Sequence, residues 1–106
     1  MQYLLLIYGN EEGMKTATPG DREVMFNAYC VPCHGSKGEG DGLVVQHGYP
    51  APPSLSSPAT RAMSDLEIFS AITDGLGTMP SYGAQIARED RWKAILHLRV
   101  LQAATQ

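Results

Sequence analysis

Cys30-Val31-Pro32-Cys33-His34 decides how this chain is read. Two thiols separated by two residues share one helical turn, and an imidazole follows the second directly. Three chemistries use such a run. C-x-x-C-H is the attachment pattern of a c-type haem: each thiol can add to a vinyl group, and the histidine can offer a nitrogen to the iron. A thiol pair enclosing a proline also suits thiol–disulfide exchange. Two cysteines and a histidine can form part of a zinc site. The flanking residues have to choose among them.

Upstream, Thr18-Pro19-Gly20-Asp21 has the marks of a helix start, with Thr18 as cap, proline at the first position and an acid in the first turn. Val24, Met25, Ala28 and Tyr29 then form an apolar stripe, with Phe26 on a neighbouring one, so a short amphipathic helix runs into Cys30. Downstream, residues 35–58 hold five glycines and four prolines. That density of breakers predicts a long loop without helix, and a loop of this length in a small domain wraps something.

Ser57-Pro58 opens a short turn through Met63, and Ser64-Asp65-Leu66-Glu67 is a capping box ahead of the stripe Ile68, Phe69, Ile72. Gly75 and Gly77 end that helix, and Thr78-Met79-Pro80-Ser81-Tyr82-Gly83 forms a second irregular loop. Residues 88–104 make the best helix, with Glu89 and Asp90 in the first turn and Trp92, Ile95, Leu96, Val100 and Ala103 at helical spacing. The expected class is all-α: three to four helices joined by long loops, with strand signals nearly absent after residue 20.

The chain has 106 residues and a net charge of −3. This allows one small domain and gives no sign of a nucleic-acid binder. Its core alone is marginal, so a cofactor would serve as a staple. No stretch approaches the roughly 18 apolar residues of a membrane span. Residues 3–8, YLLLIY, are apolar but short, with nothing basic before them, and suit a strand or a packed extension better than a secretory signal. The chain divides into an N-terminal extension, residues 1–18, and a domain, residues 19–106.

Context narrows the motif. A thiol-exchange pair normally opens a helix after a buried strand, and here it closes a helix with no βαβ pattern. Zinc would need a second pair of donors, and only His47 and His97 remain, far apart. Haem attachment through Cys30 and Cys33, with His34 as iron ligand, explains the most residues. The iron then needs a second ligand, and a thioether raises its potential. Of the five methionines, Met63 and Met79 are candidates. Met63 precedes a capping box and suits simple packing. Met79 lies in a glycine- and proline-bounded loop free to approach the iron from the far side.

These residues resemble the class I monohaem c-type cytochromes over about residues 19–104. Phe26, Cys30-x-x-Cys33-His34-Gly35 and Gly77-Thr78-Met79-Pro80 are similar to the family's helix aromatic, haem signature and methionine loop. Met79-Pro80-Ser81-Tyr82 and the stretch from Glu89 to Gln102 look most similar to cytochromes of bacterial respiratory complexes, such as alternative complex III and haem-copper oxidases fused to a cytochrome c. The resemblance implies a small cytochrome c fold around one covalent haem c. It implies that the Pro53 carbonyl accepts a hydrogen bond from the ligand histidine, which would orient the ring. It further implies that Leu55 packs on the porphyrin and that Arg61 pairs with a propionate. Trp92 is expected in the core, and His97 at the crossing of the terminal helices.

The expected function is one-electron transfer by a His34/Met79-ligated iron in a bacterial respiratory chain, with no enzymatic step. A thiol-disulfide oxidoreductase and an open-site haem sensor or peroxidase are the alternatives. Expected partners are redox proteins, a respiratory complex or a terminal oxidase, with the chain itself a monomer. Covalent attachment implies the periplasm or the outer face of the bacterial inner membrane.

Overall fold

The structure, a computed structural model, describes residues 18–104. The N-terminal extension, apart from Thr18, and the apolar stretch 3–8 lie outside the described residues. Three long helices carry the frame: α1 (Pro19–Tyr29), α5 (Asp65–Asp74) and α6 (Arg88–Ala104). Between them lie three single turns, α2 (Val31–His34), α3 (Leu43–Gln46) and α4 (Pro58–Arg61). The all-α class holds.

The helix starts follow from their caps. Thr18 Oγ1 accepts from the Asp21 amide at 3.1 Å, and Asp21 Oδ2 accepts from the Thr18 amide at 3.2 Å. Ser64 and Glu67 repeat this reciprocal arrangement at α5, at 3.0 and 2.8 Å. Those hydrogen bonds hold both carboxyls, Asp21 and Glu67, below their ordinary values. Gly75 ends α5 at φ 86°, a conformation that favours glycine.

One local expectation is refined and another changes. The first helix runs into Cys30, as expected, and the motif beyond it is separate. The helix ends at Cys30, whose amide donates to the Phe26 carbonyl at 2.8 Å, and the motif folds as its own turn, α2. Pro32 has no N–H to continue the α1 ladder, which is sufficient reason for the break. The loop over residues 35–58 also contains one helical turn, α3, where none is expected. Residues 43–47 are the longest run there without glycine or proline, and α3 forms in it.

The buried faces also differ from the expected stripes. On α1, Phe26 is buried, with Met25 and Tyr29 against the core, while Val24 is 63 % exposed. The inward line is therefore 22, 25, 26 and 29, one helical face at i, i+3, i+4 and i+7. On α6, Trp92, Ala94, Ile95, Leu98 and Gln102 are buried, whereas Val100 and Ala103 face outward. Polar anchors set this register. Arg99 Nε donates to the buried Asp65 at 2.8 Å, its Nη2 donates to the Met63 carbonyl at 2.6 Å, and its Nη1 donates to Gln102 Oε1 at 2.8 Å. Gln102 Nε2 donates in turn to the Leu55 carbonyl at 2.7 Å. A charge and an amide in the apolar interior demand such partners.

Helices α1 and α6 pack against each other more extensively than any other pair, and α5 joins them on α6. Trp92 stacks on Phe69, with ring centroids 4.2 Å apart and planes inclined by 18°. It is fully buried in the core, as expected. The His97 ring lies 5.1 Å from that of Phe26, so His97 does sit at the helix crossing.

Candidate haem site

The motif turn is braced from below. The Gly40 amide donates to the His34 carbonyl at 2.8 Å and the Gly42 amide to the Cys33 carbonyl at 3.1 Å. A Cβ on Gly42 would run into the Pro32 carbonyl and lie 2.6 Å from the Cys33 carbonyl carbon. Glycine is required there by close approach of backbone to backbone. Farther along, the Leu55 amide donates to the Gly38 carbonyl at 2.7 Å, which folds the loop back toward α6 through Gln102.

The opposite wall is the loop after α5. Leu76 and Met79 exchange backbone hydrogen bonds at 2.9 and 3.1 Å, closing a tight turn over Gly77 and Thr78. The base of this loop is tied to the frame. The Tyr82 amide donates to the Ile72 carbonyl at 2.8 Å, and Ser81 Oγ donates to the Thr73 carbonyl at 2.5 Å. Arg91 on α6 reaches the carbonyls of Gly83 at 2.8 Å and Ile86 at 3.0 Å.

Between these walls lies a cavity of about 250 Å³, lined by Phe26, Cys30, His34, Leu55, Met63, Met79 and other, mostly apolar, residues. A smaller cavity of about 50 Å³ adjoins it, lined by Tyr29, Cys33, Tyr49 and Tyr82 among others. The two share Cys30, His34, Pro52, Ile72, Thr78 and Met79. The fold thus brings to one apolar space the two thiols, the imidazole and the thioether picked out in the sequence.

The electrostatics suit ligation. Burial lowers the His34 pKa, which favours the neutral ring with a free lone pair. His34 Nδ1 is buried without a hydrogen-bond partner. An unmet polar atom in an apolar wall is costly unless something there engages the ring. Cys30 and Cys33 are free thiols, and burial, followed by the neighbouring Cys33, pushes Cys30 up to about 12. A thiol used in exchange chemistry needs the opposite shift. Among the described residues no cluster of three or more His, Cys, Asp or Glu is placed to hold a metal ion, so zinc finds no donor set there. A porphyrin does fit: an apolar space for a flat body, two thiols as addition points, and an imidazole and a thioether offered from facing walls.

Not every expected contact is made. Pro53 lines the larger cavity, as does Leu55, but the His34 Nδ1 bond to the Pro53 carbonyl is not formed. Arg61 is not part of either wall; its Nε donates to the Ser56 carbonyl at 2.7 Å and braces the loop. Met63 lines the larger cavity but not the smaller, whereas Met79 lines both. Sequence reasoning missed Tyr49, Pro52 and Thr78 in the walls, and Arg99 and Gln102 behind them. An aromatic residue set between Gly48 and Pro50 is a usable signal for Tyr49. The i, i+3 spacing of Arg99 and Gln102 is a weaker one.

A small all-α domain whose long loops enclose one apolar cavity is the architecture of a c-type cytochrome. Residues 17–98 match the family described as cytochrome C oxidase, cbb3-type, subunit III, and the chain belongs to that family. Its cofactor is covalently bound haem c. Among solved structures, it is similar to a chain of the reducing HAO-like protein complex of Kuenenia stuttgartiensis. That likeness has 26 % identity and a TM-score of 0.66, and covers 82 % of this chain and 43 % of the other. The chain thus spans less than half of that relative's length. Curated proteins provide no match.

Proposed function

We propose that the chain is a monohaem carrier in which Cys30 and Cys33 form the two thioethers and His34 and Met79 are the axial ligands, all within the domain of residues 19–106. The haem supplies one iron that exchanges a single electron between Fe(II) and Fe(III). The residues of the chain do the rest. His34 offers a neutral imidazole from the braced α2 turn. Met79 offers a soft thioether from a turn closed on itself, which favours the reduced state. Phe26, Ile72, Leu55 and Leu98 exclude water, which tunes the potential by burial. With both axial positions filled, no substrate site remains, so the role is transfer without catalysis. The observation that carries this reading is the convergence of Cys30, His34 and Met79 on the shared lining of both cavities.

Redox proteins of a bacterial respiratory chain are the proposed partners, met in small, transient contacts by a monomer in the periplasm or at the outer face of the inner membrane. A net charge of −3 gives only weak steering toward them. No helix among the described residues is long and apolar enough to cross a membrane.

Spectroscopy tests the reading. The protein should carry the mass of one haem after denaturation, with a sharp α-band when reduced and a methionine–iron charge-transfer band when oxidised. Met79→Ala should abolish that last band, and Met63→Ala should leave it. Loss with Met63→Ala in place of Met79→Ala would move the ligand. A high-spin ferric spectrum in the unmutated protein would favour the open-site sensor or peroxidase. Absence of haem absorbance would return the motif to thiol chemistry.

A further inference from the structure

The loop that carries Met79 is held unevenly. Its base is fixed to α5 and α6 by Ser81, Tyr82 and Arg91. Its tip is the four-residue turn from Leu76 to Met79, flanked by Gly75 at φ 86° and containing Gly77 at φ 59°. Glycines at both points leave the tip with little side-chain bracing of its own. Thr78 is exposed and Met79 half-buried.

One bond reaches this tip from the other side of the cavity. Tyr49 Oη donates to the Thr78 carbonyl at 2.7 Å, across 29 residues of sequence. Tyr49 lines the smaller cavity together with Thr78 and Met79, and the residue is 40 % exposed, so it stands at the mouth. Pro50, Pro52 and Pro53 follow it closely. Each fixes a backbone torsion, so the tether starts from a stiff segment. The peptide it grips is the one joining Thr78 to Met79.

We propose that Tyr49 is a positioning residue, a latch across the cavity mouth that holds the Met79 turn in place and keeps competing small ligands from the iron. The proposal rests on Met79 being the axial ligand. For an external donor such as imidazole to bind, the thioether must leave and the tip must swing outward. The base of the loop does not oppose that swing, since its bonds lie beyond Pro80. The Tyr49 hydroxyl does, because the carbonyl it holds moves with the tip.

The test uses the oxidised holoprotein and imidazole as the probe, followed by loss of the methionine–iron band. Tyr49→Phe keeps the ring and removes only the donor. A hydrogen bond of ordinary net strength corresponds to a roughly two- to tenfold change in the opening equilibrium. Tyr49→Phe should therefore bind imidazole about two- to tenfold more tightly, with its folding equilibrium weakened by no more than that same factor. Imidazole affinity equal to that of the unmutated protein overturns the latch. So does a loss of folding stability well beyond the factor gained in imidazole affinity, since the hydroxyl would then serve the whole fold. Met79→Ala separates the two readings. If it removes the band while Tyr49→Phe behaves as unmutated, the latch alone fails; if it leaves the band, the ligand assignment fails and the latch with it.

Discussion

The helical frame and the cavity walls are built on different terms. Where α1, α5 and α6 meet, side chains do the holding: Trp92 on Phe69, Phe26 on His97, and Arg99 gripping Asp65, Gln102 and the Met63 carbonyl. The walls from Gly35 to Pro58 and from Gly75 to Gly83 are held mainly by backbone, through turn bonds and glycines at positive φ. The chemistry-bearing residues sit on or beside the walls. The frame can therefore be disturbed with the site chemistry kept, and the walls can be altered with modest loss of stability. That separation is open to attack.

The largest effect is expected at Arg99. Arg99→Leu removes the Arg99 ion pair from the Asp65 carboxylate, which is 3 % exposed. Breaking one side of a buried pair costs about 3–5 kcal/mol, measurable by denaturant unfolding of the holoprotein. The methionine–iron band should survive. Its loss would show that frame and walls are one cooperative unit. An intermediate effect is expected at Gly75. A Cβ there would sit 2.8 Å from the Met79 carbonyl, at φ 86°. Gly75→Ala should cost ~1–3 kcal/mol, the usual range for such backbone strain, and should shift the band as well. Lost stability with an unaltered spectrum would uncouple this hinge from the ligand.

The smallest effect is expected at Glu67, whose carboxyl is held below its ordinary value by the Ser64 amide and hydroxyl. A lowered folded-state pKa means that ionised Glu67 stabilises the fold. That contribution is full above the unfolded value and fades as pH falls through the folded one. Glu67→Gln should flatten stability against pH across the acidic range, with the spectrum unchanged. A spectral change on acidification that this variant abolishes would tie the α5 cap to the site.

The frame's helices were readable because caps and breakers are local. Thr18-Pro19, Ser64 with Glu67, and residues 88–104 declare their boundaries in a few neighbouring residues. The inward faces were less readable. Val24 and Val100 are as apolar as the residues that replaced them inside, and only tertiary partners decide which way a helix turns. Gln102 is buried because a carbonyl 47 residues away accepts from it, which periodicity cannot register. The site was legible as a residue set, through the compact Cys30–His34 run and a methionine placed between breakers. Its walls were less so: the roles of Pro52 and Tyr49 depend on how a glycine-rich loop folds back.

One consequence follows from which helices pair most closely. Helices α1 and α6 lie at opposite ends of the domain in sequence, and both loop walls fall in the chain between them. Closing a flexible loop becomes only slowly harder with length, by about 0.6 kcal/mol for each doubling. The frame is therefore nearly indifferent to how much chain it encloses. Loop segments away from Tyr49 and Met79 are free to lengthen or shorten while the two terminal helices keep the same embrace. A domain arranged this way can be retuned for a new partner by editing its middle and leaving its ends alone.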